Sequence, residues 1–419
     1  MIKKLALYGG PPVRPEPYPP YNTVTQKARE AAIRVLNSGV LSGFVATPGR
    51  EFLGGEDILA LEEDFCKMFG VGHSVSFNSA SSALHASLAA GRVGAGDEVI
   101  VSPYTMSASA TAAIICGAVP VFADLEPDYF CLEVEQVKAS ITDRTKAIMA
   151  VNIFGLPADL GPLRRIADEH NLLLVEDNAQ APAALYNGCF AGTIGHVGVF
   201  SLNRHKTIQC GEGGVAITND PELAYRLQLI RNHGEVVQSL LPKGEQDPRH
   251  FDIIGYNYRL TELQAAIVRP QLAQLSDLND HRIRLADYLT DRLRDYLFLT
   301  PPKIRPGCTH VYYLYPMLYR SDDLGVSRDL FVKALTAEGI PVSNYVEPLY
   351  RLPIYQNTSL AGQAEYNPEH FPVVEKLWQE KMIVTPICRP PLTEKDIDQF
   401  VAAVDKVANC AVELQQHED

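Results

Sequence analysis

Apolar and polar positions follow three successive rhythms along the chain. The first is helical. Thr25–Ser38 carries Ala28, Ala31, Ala32, Val35 and Leu36 on one face and is closed by Gly39. Ile58–Phe69 repeats the pattern with Ile58, Leu61, Phe65, Met68 and Phe69, closed by Gly70. The glycine-rich span 40–55 between them predicts a mobile or active-site loop. The second rhythm is an alternation. Short apolar runs (Ser74–Phe77, Glu98–Ser102, Val119–Ala123, Lys146–Asn152, Leu172–Glu176, Val197–Phe200, Val215–Thr218) alternate with helical spans for most of this stretch. The helical spans are Ser79–Ala90, Thr105–Cys116, Val134–Ile141, Asp159–His170 and Pro221–Ile230. Uninterrupted apolar strands separated by helices predict a parallel or mostly parallel sheet covered on both faces.

The third rhythm is a long helical stretch, Leu260–Leu297, interrupted at Pro270, which predicts a spine between two domains. Beyond it, His310–Leu318 reads as a strand, and Ser327–Glu338, Val373–Gln379 and Glu394–Leu414 read as helices. That composition predicts a smaller α+β domain. Residues 1–22 are proline-rich and predict an arm, of the kind that lies across a partner subunit. The expected units are therefore the arm 1–22, a large domain 23–275, and a linking helix with a small domain, 276–419.

Bulk properties narrow the function classes. A chain of 419 residues, 46% hydrophobic and 21% charged, fits two globular domains. A formal charge of −13 without long acidic runs argues against nucleic acid or an anionic membrane as the main partner. No apolar run approaches the roughly 18–20 residues that span a bilayer. The apolar patch near the N-terminus is broken too early by Gly9, Gly10, Pro11 and Pro12 to predict a signal peptide. The eight cysteines are scattered, without CxxC pairs or histidines at metal spacing. They predict reduced, mostly core thiols in a cytoplasmic protein, and no metal site.

Candidate chemistry lies where the strands end, because doubly wound sheets bind ligands at the carboxyl ends of their strands. The first strand runs into Asn78-Ser79-Ala80-Ser81-Ser82, which opens a helix and can seat a phosphate on bare N–H groups. A plain N-cap has the same composition. The second strand runs into Pro103-Tyr104-Thr105-Met106, from which a side chain can cover a flat ligand. The fifth runs into Asp177-Asn178-Ala179-Gln180. An acid there needs a positive partner, although a cap or a buried ion pair is the commoner fate. After Phe200 come Ser201, Asn203, Arg204, His205 and Lys206, and then Gly211, Gly213 and Gly214 before the next apolar run. A lysine on such a strand-flanked turn is either a solvated loop residue or a desolvated nucleophile suited to Schiff-base chemistry.

Read together, these pieces select one cofactor. The chain has a phosphate seat, a strand-end acid and a loop lysine, and no GxGxxG or GxxxxGK[ST] motif. A phosphate, a cationic nitrogen and an aldehyde for the lysine describe pyridoxal 5′-phosphate (PLP). In that reading Asp177 keeps the pyridine nitrogen protonated, and Lys206 holds the aldehyde and later shuttles a proton. Tyr345, Tyr350, His233 and Arg231 are candidates for the substrate side, or equally for packing and surface.

The segments 96–110 (GDEVIVSPYTMSASA), 142–155 (TDRTKAIMAVNIFG), 175–180 (VEDNAQ), 200–214 (FSLNRHKTIQCGEGG) and 255–266 (GYNYRLTELQAA) resemble, in order and spacing, the DegT/StrS-type sugar and cyclitol aminotransferases. The resemblance implies a fold-type I PLP transferase. Its large domain would hold a mostly parallel seven-stranded sheet between helices, followed by a smaller α+β domain. It implies a homodimer with active sites built from both subunits. Carried over, Lys206 is the Schiff-base lysine and Asp177 the pyridine partner. Gln180 meets the ring hydroxyl, and Ala80, Ser81 and Ser201 meet the phosphate. Asn257 or Arg259 reaches the phosphate in the neighbouring subunit. Met106 stands where relatives carry an aromatic over the ring. The activity implied is a two-step exchange. Glutamate or glutamine gives its amino group, and a ketone on a nucleotide-linked sugar or a cyclitol receives it. Relatives with His in the lysine place are dehydratases. Here Lys206 takes that place beside His205, which favours transamination over a dehydratase or a non-enzymatic regulator. Acceptor choice is expected from the loops 40–56, 236–252 and 343–372.

Overall fold

A computed structural model describes residues 4–46, 49–234, 253–357 and 366–416. The predicted loop 241–250, the whole of the expected acceptor loop 236–252 and parts of the acceptor loops 40–56 and 343–372 lie outside these residues. Two amphipathic helices, α1 (Gln26–Ser38) and α2 (Glu56–Phe69), open the fold. Thr25 caps α1 by accepting from Ala28 N, and Gly39 closes it in the left-handed region. The N-terminus of α2 is capped from far along the chain. The Glu262 carboxylate accepts from the N–H groups of Gly55, Asp57 and Ile58 at 2.9, 2.8 and 3.2 Å.

The alternating stretch forms β1 (His73–Phe77), α3 (Ala80–Ala90), β2 (Glu98–Val101), α4 (Ala108–Ile115) and β3 (Val119–Phe122). It continues through α5 (Val134–Ala139), β4 (Thr145–Val151), α6 (Leu160–His170) and β5 (Leu173–Asp177). A short hairpin, β6 (Leu185–Tyr186) and β7 (Cys189–Phe190), precedes β8 (Val197–Ser201), β9 (Gly214–Thr218) and α7 (Pro221–Arg231). The sheet is seven-stranded in the order β1-β9-β8-β5-β4-β2-β3. Only β9 runs antiparallel, to both β1 and β8. Its alternation serves two faces. Ala216 belongs to the buried cluster that holds Val75, Leu174 and Val199, whereas Val215 and Ile217 belong to the one that holds Phe65, Phe69 and Leu272 from the helices behind.

The predicted long helix is two helices, α8 (Glu262–Leu272) and α9 (Leu275–Leu293). Pro270 lies inside α8, and the break falls just after it, at Ala273–Gln274. Next come β10 (Leu299–Thr300), β11 (Tyr315–Tyr319), α10 (Ser321–Leu324) and α11 (Arg328–Ala337). They are followed by α12 (Pro353–Gln356), α13 (Pro372–Lys376), β12 (Met382–Thr385), α14 (Glu394–Asn409) and α15 (Ala411–Gln415). Strands β10, β11 and β12 make a small antiparallel sheet whose Tyr315, Met317 and Ile383 pack on Leu285, Phe331 and Phe400. The strand expected at 310–318 starts five residues later. His310 Nδ1 accepts from the Tyr312 N–H at 3.0 Å, and Tyr312 sits at φ 48°, which breaks the extended backbone. The helices expected from Thr105 and through Leu414 are also trimmed, to Ala108 and by the break at Cys410.

The arm is folded onto its own chain. The N–H groups of Ala6 and Val13 donate to the Glu338 carboxylate at 2.8 and 2.9 Å, Lys406 meets the same carboxylate, and Arg14 pairs with Asp396. All eight cysteines are unpaired, and six of them (Cys66, Cys116, Cys131, Cys210, Cys388 and Cys410) lie in or against a hydrophobic core. Cys131, Cys388 and Cys410 are buried, four others are half-buried, and Cys189 is exposed. Among the described residues no helix is long and apolar enough to cross a membrane, and no His, Cys, Asp and Glu cluster could hold a metal ion.

Candidate active site

Four strand ends converge on one mouth of the large sheet. Gly214, at the start of β9, is paired with Phe77 of β1 on one side and Ser201 of β8 on the other. A Cβ at Gly214 would come within 2.5 Å of Ala80 N. Glycine there lets the N-terminus of α3 sit directly against the sheet. Ser79 caps α3 through Ser82 N at 3.1 Å, and the Ser82 hydroxyl turns back to Asn78 at 2.7 Å. Helical geometry leaves the N–H groups of Ala80 and Ser81 without acceptors inside α3.

The turn joining β8 to β9 carries the lysine. Leu202 N donates to Gly213 O and Arg204 N to Gly211 O, so the strand pair continues past its last strand residues. Gly211 adopts φ 89°, and Lys206 N closes a tight turn onto Asn203 O at 2.9 Å. Lys206 is half-buried. Its Nζ lies 4.4 Å from the ring centroid of Tyr313, a cation–π contact supplied from distant sequence.

Adjacent acids at the end of β5 have different fates. Glu176 is fully buried and saturated by the N–H groups of Gly192, Ile194 and Gly195 at 2.6, 2.9 and 2.6 Å, with Asn152 at 3.2 Å. It holds the turn before β8. Asp177 faces the cleft. Among the described residues its carboxylate accepts only from Ser109 Oγ at 2.7 Å and Ala179 N at 3.2 Å. Burial pushes the Asp177 carboxyl above the usual carboxylate range, and Ser109, the Lys206 charge and Ala179 N–H oppose that rise. Gln180 is pinned at both ends, accepting from Phe154 N at 2.8 Å and donating to Tyr345 OH at 3.2 Å. Phe154 and Tyr345 both sit at positive φ, 56° and 68°, with rings 4.7 Å apart. Strained aromatics of this kind cost about 1–3 kcal/mol each and are held by their surroundings.

The resulting cleft, of about 350 Å³, is lined by Ala80, Ser81, Met106, Asp177, Gln180, Ser201 and Lys206, with Thr105, His205, Glu212 and Tyr313. Met106 is at the rim and 62% exposed. Burial, then the neighbouring Arg204 and Lys206 charges, lowers the His205 pKa. Asn257 and Arg259 are not in this cleft. Arg259 Nε bonds Asn257 Oδ1 at 2.9 Å, and its Nη1 bonds Asn232 at 3.2 Å. Of the substrate-side candidates, Tyr345 reaches the site through Gln180. Tyr350 is fully buried, stacks on Phe371 and donates to Glu375. Arg231 is fully buried and paired with Glu62, and His233 is exposed. Sequence reasoning missed Ser109 and Tyr313. Ser109 has a faint signal, a hydroxyl in an alanine-rich helix after a strand end. Tyr313 has none, since its run reads as a strand. A second cleft, of about 380 Å³, opens near His85, Arg92, Cys116 and Tyr256, with no lysine or carboxylate among its described lining residues.

The sheet order and the position of this cleft define the α/β architecture of fold-type I transferases. A solved aminotransferase from Psychrobacter cryohalolentis superposes with a TM-score of 0.83 at 30% identity, covering 94% of this chain and 100% of that one. The sequence profile of the DegT/DnrJ/EryC1/StrS aminotransferase family matches residues 45–405, and the chain belongs to that family. It is 36% identical over 393 residues to an L-glutamine:2-deoxy-scyllo-inosose aminotransferase of Streptomyces kanamyceticus, covering 92% of this chain and 89% of that protein. It is 35% identical to the GDP-perosamine synthase of Caulobacter vibrioides, covering 84% and 90%. The protein is an aminotransferase, and its family implies PLP as cofactor.

Proposed function

We propose that the cleft holds PLP and that the enzyme moves the amino group of L-glutamine or L-glutamate to the ketone of a cyclitol. The observation that carries this reading is the pairing of Lys206 and Asp177 in one cleft. One is an amine on a glycine-closed turn, and the other is a buried carboxylate left short of partners. The donor set fits the cofactor. The N–H groups of Ala80 and Ser81 and the Ser201 hydroxyl suit a phosphate. Asp177, fixed by Ser109 and Ala179, suits a protonated ring nitrogen. Gln180 suits the ring hydroxyl, and Met106 covers an exposed face. When bound, the cofactor supplies an electron sink for the donor's Cα–H bond and a carrier for nitrogen between two half-reactions. Lys206 Nζ is the attachment point and then the base that moves the proton.

In this reading residues 23–275 form the cofactor-binding domain, 276–419 the linking helix and small domain, and 1–22 the arm. The enzyme works as a homodimer in which Asn257 or Arg259 reaches the neighbouring phosphate. Unpaired cysteines support a reducing, cytoplasmic setting. A cyclitol acceptor is supported by the similarity to the scyllo-inosose aminotransferase. The nearly equal similarity to GDP-perosamine synthase supports a second acceptor class, nucleotide-linked keto-sugars.

The test is spectroscopic. Protein loaded with PLP is expected to show a visible absorption band that Lys206→Ala abolishes. L-glutamine or L-glutamate should convert that band and release a 2-oxo acid, and a keto-cyclitol should restore it. No conversion with either amino acid sinks the reading, and restoration only by nucleotide-linked keto-sugars selects the second acceptor class.

A further inference from the structure

The turn that carries Lys206 is held unevenly. Its stem is tied into the sheet. Leu202 N–H donates to Gly213 O, Arg204 N–H to Gly211 O and Cys210 N–H to Leu202 O, at 2.9, 2.9 and 3.0 Å. The stretch just past the lysine is held from far along the chain. The Tyr21 hydroxyl, from the arm, donates to the Thr207 carbonyl at 2.6 Å. The Gln271 side chain, from α8, accepts from Gln209 N at 3.1 Å and donates to Gln209 O at 2.8 Å. Among the described residues these backbone groups of Thr207 and Gln209 have no other partner.

Gln271 is fully buried. Its Nε2 also donates to Ile267 O of its own helix at 2.9 Å, and its Oε1 also accepts from Thr23 Oγ1 at 2.6 Å. Its helix neighbours Val268 and Leu272 are buried apolar residues. An apolar side chain of similar size would fill the same space without the cost of burying an amide. Three of the four bonds of this amide leave α8, two for the lysine turn and one for Thr23, just past the arm. The amide therefore specifies where the turn lies, beyond what packing of α8 requires. Tyr21 holds the stretch 207–209 at its first residue, and Thr23 holds it at its last, through Gln271.

We propose that Tyr21 and Gln271 are positioning residues for the reacting amine: by fixing the backbone just past Lys206, they fix the point from which its Nζ moves the proton. This rests on the reading of Lys206 given above. A lysine carries its amine on a flexible methylene stem, so the place of the amine depends on where the stem is rooted. When the amine is free to act as a base, the Tyr313 ring, 4.4 Å from Nζ, and the clamped root hold it. A misplacement of about 1 Å at a reacting group costs about 100-fold in rate. Residues that hold the root therefore act on the proton-transfer step and leave donor binding alone. The arm takes part in catalysis in this way, although none of its described residues lines the cleft.

The experiment uses the full chain loaded with PLP and two variants. Tyr21→Phe keeps the ring beside Arg282 and Arg389 and loses the hydroxyl. Gln271→Met keeps the length and loses the amide. The donor is L-glutamine or L-glutamate, whichever converts the native absorption band. The saturated rate of the first half-reaction should fall about 10-fold in Tyr21→Phe and about 10- to 100-fold in Gln271→Met, with KM for the donor as in the native enzyme. A second arm removes the tether. In Lys206→Ala, added methylamine serves as an untethered base, read as release of the 2-oxo acid. That rescued rate should be the same with and without Tyr21→Phe, because a free amine has no root to misplace. In the cofactor-free chain, amide hydrogen exchange across 203–211 should speed up about 10-fold in both variants. Native-like half-reaction rates in both variants overturn the proposal. So does a loss that falls on KM alone, and so does an equal Tyr21→Phe loss in the methylamine-rescued chain, which means general damage to the cleft. If Gln271→Met does not fold, Tyr21→Phe decides by itself. If neither amino acid converts the native band, the reading of Lys206 fails and the proposal fails with it.

Discussion

Asp177 is 6% exposed, and its two hydrogen bonds with the Lys206 charge do not cancel the effect of burial, so its pKa stays above the ordinary carboxylate value. A carboxyl with a raised folded pKa binds its proton more readily folded than unfolded. Its charged form therefore costs stability, and the cost grows as pH rises from the unfolded carboxylate value through the folded one. Asp177→Asn keeps the shape and removes the charge. The cofactor-free variant is expected to melt above the native protein near neutral pH, with the gap closing in acid. The loaded variant should still bind PLP but turn over roughly 100-fold or more slowly, the size of a lost electrostatic contribution at a reacting centre. Melting curves across pH and single-turnover rates check both halves, and a native-like rate would remove Asp177 from its assigned role. At this scale much of the cleft was legible. Ala80, Ser81, Asp177, Gln180, Ser201 and Lys206 all lie at or after strand ends, where a parallel sheet must open. Ser109 and Tyr313 were not legible as site residues, because tertiary packing rather than local pattern brings them there.

Between elements, a buried ion pair ties the β1 side of the sheet to its helices. Glu62 of α2 accepts from Ser76 N and Oγ of β1, each at 2.8 Å, and from Arg231 of α7, which also donates to Ser76 O at 3.2 Å. Arg231 further reaches the Leu53 carbonyl, and its guanidinium lies 4.7 Å from the Phe44 ring centroid. One carboxylate thus joins two helices to an edge strand of the large sheet. Removing either partner strands the other charge, so Arg231→Ala and Glu62→Ala should each lower unfolding free energy by about 3–5 kcal/mol. Their double variant should lose clearly less than the sum. Chemical denaturation reads this, and additive losses would mean that the pair does not act as a unit. The sequence held a hint, since Glu62 stands on the apolar stripe of Ile58, Leu61 and Phe65, where a charge must be paired. Helix and strand periods were legible where a face is continuous, as in α2 and β9. The strand expected at 310–318 was not, because the apolar run continues through Tyr312 while a His310 side-chain bond turns the backbone.

At the scale of the whole molecule, one chain leaves part of its expected site elsewhere. Asn257 and Arg259 sit together outside their own cleft, bonded to each other and to Asn232. Large apolar side chains are exposed on and just after α1, at Ile33, Leu36, Val40 and Leu41 (48–56%), and at Ile115 and Ile254. Apolar surface of this extent favours an association face. In a two-fold dimer each subunit presents the same patch, and a residue lying outside its own cleft can complete its partner's. If Arg259 acts across the interface, a mixture of inactive Lys206→Ala and weakened Arg259→Ala chains has a defined outcome. Heterodimers then carry one site with both defects and one with neither. Random reassociation makes half the dimers mixed, with half their sites intact, so activity should recover to roughly a quarter of the native level. If Arg259 served its own cleft, every site would keep one defect and mixing would add nothing. The assay is turnover before and after reversible dissociation of the two variants together. Recovery that depends on that dissociation step identifies a shared site, whereas unchanged activity in dimers shown to have exchanged returns Arg259 to a structural role.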